Sequence, residues 1–337
     1  MGQYTIEEIH SQPEVWRRTL EILCGGASPL AELDGYGLKG PVVFTGCGSS
    51  YYLSLSAAAA WSRFAGSPGM ALSATDLMMY PECHFPASMQ GTVVAVSRSG
   101  KTVETRDAVC RLKQASAWNA VAISCNAGTP VGAACDAGVI LAEAAEKSRF
   151  MTRAFTTPLL TGLLWAARRG YRELEQELLQ APDLASRLIE RYEPAARELA
   201  QSGKFDQYIY LGQGPYFGLA CEAMLKIKEM ACTPAEAYHS QELLHGPRYA
   251  ITASTLIVVL LSDGGLRWQL ELLPKLKGFG AQVLVICDQA PPEVREHSDW
   301  VWELRSGLSD YGRMLLLMPL VQLFAYYRAL ALGKTID

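Results

Sequence analysis

Three strand ends that recur at a nearly constant spacing restrict this chain more than any other feature. Gly46 and Gly48 return as Gly212 and Gly214, a shift of 166 residues. Ser97 and Gly100 return as Ser262 and Gly265, a shift of 165, and Cys125 returns as Cys287, a shift of 162. Each follows a short apolar, β-branched run: 41–45, 91–96 and 120–124 in the first copy, 207–211, 255–261 and 282–286 in the second. The run before Ser97 is apolar apart from Thr92 and does not alternate, as expected of a strand buried on both faces of a parallel sheet. Helical patterns lie between the runs, over 51–64, 103–114 and 216–230. The fold class is therefore α/β: two tandem doubly wound parallel-sheet domains made by duplication.

At 337 residues, two domains of ordinary size are expected. The spacing predicts an N-terminal helix within 1–30, broken near Pro13, a first domain over 31–170, linking helices over 171–200 and a second domain over 201–337. Short strands are also predicted at 70–73, 138–141 and 300–304, a helical stretch at 152–192 with a break at Pro182, and a final helix at 311–332.

Composition narrows the function. Half the residues are hydrophobic, 19% are charged, the formal net charge is −4 and the pI is near 5.8, which argues against a nucleic-acid or anionic-membrane partner. The apolar run 314–332 carries Gln322 and Arg328, so it reads as a buried helix and not a span. Residues 2–10 are polar, and no signal peptide is expected. Nine cysteines without a C-x-x-C pair point to free thiols and a cytoplasmic protein. Five histidines show no ligand spacing, so neither a metal nor a cofactor is expected.

The chemistry concentrates in Ser97-Arg98-Ser99-Gly100-Lys101-Thr102, between a strand and a helix. Three hydroxyls, two cations and the amides of a helix N-terminus make a site for a dianion such as phosphate. An ordinary N-cap would use some of the same residues. Its place at the carboxyl end of a parallel strand, where doubly wound sheets bind ligands, favours the ligand role. The second copy, Ser262-Asp263-Gly264-Gly265, has an acid where the first has Arg98, so one working anion site is expected, in the first half. Gly46-x-Gly48 lacks the third spaced glycine of a dinucleotide fingerprint.

Five motifs in chain order carry a resemblance: Cys47-Gly48-Ser49-Ser50-Tyr51, the loop 97–102, Arg153-Ala154-Phe155-Thr156-Thr157, Lys226-Ile227-Lys228-Glu229 and Glu242-Leu243-Leu244-His245-Gly246-Pro247. Together they resemble the tandem sugar isomerase (SIS) domain proteins, notably the isomerase half of glucosamine-6-phosphate synthase and related phosphosugar deaminases and isomerases. The resemblance implies SIS-type, flavodoxin-like domains and a phosphosugar ligand. It implies that Ser50, Ser97, Ser99 and Thr102 hold the phosphate, with Ser49 and Arg98 in the same substrate-binding set. Arg98 stands where the family commonly has an amide and Lys101 where it has an acid, and both raise the local positive charge.

By the same resemblance Glu229 is the proton-shuttling base. His245 opens the sugar ring, often across the interface of a homodimer. Glu229 ends a largely apolar helix face, where partial burial would raise its pKa and suit a base. Read without the family, it pairs with Lys226 or Lys228 at the surface, and His245 is a turn residue. Glu222 and Glu242 are secondary candidates for sugar hydroxyls, and His239 has no assigned role. No glutamine amidotransferase domain is seen, and Lys334 precedes the tail whose lysine serves the synthases. The expected activity is that of an aldose–ketose isomerase or deaminase, converting glucosamine 6-phosphate to fructose 6-phosphate and ammonia. The alternatives are a fructosamine-phosphate deglycase and a sugar-phosphate sensor without turnover.

Overall fold

Ten short strands, all paired in parallel, build two five-stranded sheets among the described residues. The computed structural model describes residues 2–35, 37–115, 118–203 and 205–337. The chain divides into an amino-terminal unit, residues 11–147 and 151–182, and a carboxy-terminal unit, residues 183–337 with 2–10 and 148–150.

In the amino-terminal unit the strands are β1 (Val42–Gly46), β2 (Gly69–Ser73), β3 (Thr92–Ser97), β4 (Asn119–Ser124) and β5 (Ala137–Ile140), in the order β2-β1-β3-β4-β5. The order reverses direction between β1 and β3, the point where a doubly wound sheet opens a crevice at its carboxyl edge. Every residue of β1 and β3 is buried. At about 1.5–3 kcal/mol for each valine taken out of water, these central strands dominate the unit's stability. The helix Val103–Ala115 buries Thr105, Ala108, Val109 and Leu112, one face of a 3.6-residue period, in a core with Val43, Val93 and Ala95. The helices Ser49–Phe64 and Arg153–Arg168 cover the sheet, with Trp61 and Trp165 meeting edge to face at 4.8 Å.

The carboxy-terminal unit repeats the plan with β6 (Gln207–Gly212), β7 (Ala235–His239), β8 (Thr255–Leu260), β9 (Gln282–Cys287) and β10 (Trp300–Glu303). Their order, β7-β6-β8-β9-β10, is the same, and the reversal falls between β6 and β8. The helix Asp310–Ala331 is long and apolar enough to cross a membrane, but 89% of its apolar window is buried within the protein. Its Arg328 donates to the carbonyls of Ala200 at 3.0 Å and Phe205 at 2.6 Å, which is why a charge is tolerated there.

The break expected near Pro13 is there: the helices are Gln3–His10 and Gln12–Cys24, with Pro13 in the opening turn of the second, where its missing N–H costs nothing. Two local expectations change. The helix Arg172–Gln201 runs through Pro182, and the break comes earlier, at Gly170 with φ +136°. Strand β7 was not anticipated. It is an edge strand, mostly half-exposed, and its Ala-Glu-Ala-Tyr-His carries no apolar run.

Candidate functional site

At the reversal point of the amino-terminal sheet two loops lie side by side. The first leaves β1 through Gly46, Cys47 and Gly48. A Cβ on Gly46 would come within 2.6 Å of Ser50 Cβ and 2.8 Å of the Val96 carbonyl, so only glycine lets β1, the helix start and β3 approach this closely. Gly48 then takes φ +54°, and the helix opens at Ser49. Ser49 and Ser50 are each 5% exposed, in its first turn.

The second loop leaves β3 at Ser97. The Gly100 amide donates to Ser97 Oγ at 3.1 Å, Ser97 and Thr102 share a hydroxyl hydrogen bond of 3.2 Å, and the Lys101 amide donates to Ser99 Oγ at 3.2 Å. Gly100 has φ +65°, and a Cβ there would lie 2.2 Å from Thr129 Oγ1. The Thr129 turn also holds the loop by a Val131 amide bond to the Gly100 carbonyl, 3.0 Å. Arg98 departs from the expectation. Its guanidinium lies 3.6 Å from the carboxylate of Glu146, whose side chain is fully buried, so much of its charge is already answered. Glu146 also accepts from the Thr152 amide at 2.7 Å, the Thr152 hydroxyl at 2.8 Å and the Ala154 amide at 3.0 Å, capping the helix Arg153–Arg168. Lys101, exposed and without an ion-pair partner among the described residues, supplies the loop's positive charge instead.

The matching loop after β8 is closed by the chain itself. The amides of Asp263 and Gly264 donate to the two carboxylate oxygens of Asp310 at 2.8 and 2.9 Å. Arg313, 1% exposed, binds Asp310 at 3.0 Å and the Asp263 carboxylate. Burial works against that guanidinium, but Tyr216, Asp263 and Asp310 outweigh it and hold it charged. A carboxylate from the chain thus sits on the loop amides, in addition to the acid at Asp263.

The predicted base belongs to the carboxy-terminal unit. The helix Phe217–Lys226 passes into a wide π turn, Ile227–Ala231, that ends at Cys232 with φ +53°. Lys226 is completely buried and its ammonium binds Glu222 at 3.2 Å and Glu229 at 2.5 Å. Burial disfavours its charge, yet Glu222 and Glu229 together raise its pKa above the ordinary value. The burial expected of Glu229 falls on Lys226 and Glu222. Glu229 keeps 35% of its side chain exposed. That leaves the carboxylate reachable from solvent and fixed at one edge by an ammonium. His245 is exposed after the turn Glu242–Leu244, followed by Gly246 with φ +124°.

Sequence reasoning missed Glu146, Asp310 and Arg313, which left no signal. It named Lys226 as a partner of Glu229 but placed the pair at the surface, whereas Lys226 is buried. Concavities among the described residues lie elsewhere, one of them beside the secondary candidate Glu242. Another, of about 880 Å³, lies in the amino-terminal unit beside Ser28, Asp34, Arg168 and Glu175, and holds none of the predicted site residues.

Two five-stranded doubly wound sheets, each with its loops at the reversal point, define a tandem α/β architecture. Residues 204–331 match the family model for the SIS domain, and the chain is a SIS-domain protein. It is 28% identical to the isomerizing glutamine–fructose-6-phosphate aminotransferase of Symbiobacterium thermophilum over 359 residues, covering 100% of this chain and 57% of that protein. The corresponding enzyme of Mycolicibacterium paratuberculosis is 30% identical over 73% of this chain and 41% of its own length. The match thus spans 57% of the length of the first of these relatives and 41% of the second. Among solved structures, the tagatose-6-phosphate ketose/aldose isomerase of Escherichia coli superposes with a TM-score of 0.89 at 22% identity, over 98% of this chain and 94% of that one. The C-terminal domain of glucosamine-fructose-6-phosphate aminotransferase from Francisella tularensis gives 0.85 at 21% identity, over 100% and 98%. At these identities the superpositions establish the fold.

Proposed function

We propose that the chain is a phosphosugar isomerase acting on an amino-sugar phosphate, and that with glucosamine 6-phosphate it yields fructose 6-phosphate and ammonia. The observation that carries the reading is the hydroxyl-lined loop 97–102 at the β1/β3 reversal, with Lys101 exposed and without an ion-pair partner among the described residues, and Ser99 and Thr102 at its rim. A phosphate monoester is the ligand that hydroxyls, loop amides and one fixed cation suit best. The names of the curated relatives and of the superposed isomerases support the same substrate class.

The proton chemistry is assigned to Glu229. Its carboxylate takes the proton from C2 of the open-chain sugar and returns it to C1, passing through an enolamine. Water then adds to the C2 imine and ammonia leaves, so atoms balance as amino-sugar phosphate plus water giving keto-sugar phosphate plus ammonia. Lys226, held as an ammonium, fixes the orientation of Glu229 and leaves its outer oxygen to act. His245 is assigned to the ring oxygen.

Incubation with glucosamine 6-phosphate should release equal amounts of fructose 6-phosphate and ammonia. Keto product without ammonia from an aldose phosphate would make the chain a plain isomerase, and neither product from either substrate would leave a binding module. Glu229→Gln should lower turnover by about 10²–10⁴-fold, the usual worth of a positioned acid–base group, with substrate binding retained.

A further inference from the structure

The carboxy-terminal unit holds a cleft of about 640 Å³ that the proposed reaction does not use. Gln213 enters it from the end of β6, His239 from the end of β7, and Gln241 and Glu242 from the turn that follows. Trp268 and Gln269, on the helix Leu266–Gly278 that follows β8, complete the wall. The cleft therefore lies at the carboxyl edge of the second sheet, beside the β6/β8 reversal, where this architecture places ligands.

Its floor is built. Gln269 is 1% exposed and its amide spans Ser240 Oγ at 3.0 Å, the Leu260 carbonyl at 3.2 Å and the Ser262 amide at 3.1 Å. The Gln213 carbonyl oxygen accepts from the Ser240 amide at 3.2 Å, which leaves its two N–H donors for a ligand. The His239 ring stacks on Phe217 with centroids 3.7 Å apart, and its buried Nδ1 has no hydrogen-bond partner among the described residues. At the mouth, the Trp268 indole is 56% exposed.

The charges fix what the cleft can take. Its lining includes no lysine or arginine, burial pushes the His239 pKa down so that the ring is neutral, and the one charged group is the exposed carboxylate of Glu242. The neighbouring loop amides are spent on Asp310. A phosphate would find no cation and a carboxylate already present. We infer that this cleft is a second binding site, for an amino sugar that carries no phosphate. The ring lies on Trp268, the hydroxyls meet Gln213 and His239, and the ammonium pairs with Glu242.

The test is titration calorimetry of the full chain with glucosamine, glucose and glucosamine 6-phosphate, repeated on Trp268→Ala, Glu242→Gln and the double variant Ser99→Ala/Thr102→Ala. Trp268 and Glu242 are exposed, so these changes leave the fold alone. Glucosamine should bind, and Trp268→Ala should weaken it by about tenfold, the loss of roughly one aromatic contact. Glu242→Gln should weaken glucosamine and spare glucose. The Ser99→Ala/Thr102→Ala variant should bind glucosamine normally while losing affinity for glucosamine 6-phosphate. Turnover of the phosphosugar by Trp268→Ala should be unchanged. No binding of glucosamine, binding untouched by Trp268→Ala, or loss of glucosamine binding in the Ser99→Ala/Thr102→Ala variant would each overturn the inference. None of these depends on whether the chain turns a phosphosugar over.

Discussion

The two loops at the reversal points begin alike and end in opposite electrostatic states. Both leave a fully buried strand at a serine, Ser97 or Ser262, and both return a glycine amide to that serine's hydroxyl, Gly100 at 3.1 Å and Gly265 at 3.2 Å. In the first, Arg98 is answered by Glu146 and Lys101 has no ion-pair partner among the described residues. In the second, Asp310 lies on the amides and Arg313 binds it from below. Duplication thus preserved the backbone of an anion cradle in both units, while one copy acquired an occupant of its own. The lesson is that a cradle's charge state depends on residues far along the chain as much as on the loop itself.

The comparison can be broken at several points. Arg313→Met should have the largest effect, about 3 kcal/mol in urea unfolding, because it leaves two carboxylates at one loop without their cation. That figure is the low end for a broken buried pair, since Asp263 is largely exposed. A loss under 1 kcal/mol would mean the second loop does not need its internal ion pair. Glycine replacement separates the two backbones. Gly100→Ala should cost about 1–3 kcal/mol and disturb phosphosugar binding, given its positive φ and the Thr129 side chain in the way. Gly265→Ala, the matching position, has φ −101° and so no backbone strain, though its Cβ would press on the Gln269 and Ser262 side chains at 2.8 and 2.9 Å; it should cost less, about 1 kcal/mol. Equal costs would erase the distinction. The smallest effect is on affinity. Ser99→Ala should weaken phosphosugar binding by about tenfold, one charge-assisted hydrogen bond, whereas Ser262→Ala should leave it unchanged.

Much of the architecture was legible because buried parallel strands announce themselves. Val42–Gly46, Thr92–Ser97 and Thr255–Leu260 are nearly continuous β-branched runs, and the repeated glycines mark where each chain turns out of the sheet. The edge strand Ala235–His239 escaped because a half-exposed strand has no need of such a run. Pro182 misled because a proline in a long helix signals a stop by its missing donor, while the signal that counted was Gly170. The site was legible to the extent that it is local. The hydroxyl loop could be read from six adjacent residues. The charge balance could not, since Glu146 lies 48 positions after Arg98 and Asp310 lies 47 after Asp263. The state of Glu229 likewise depended on where burial fell among Glu222, Lys226 and Glu229, which helical spacing alone does not decide.

The winding that carries Glu229 has a consequence of its own. Between Ile227 and Ala231 the backbone closes its hydrogen bonds over five residues, so this stretch holds one more residue than a regular helix would. Excising that surplus, by deleting Lys228, would return the coil to regular winding and re-aim the carboxylate relative to the preceding turn. The position of the proposed proton carrier is therefore a matter of residue count as well as residue type.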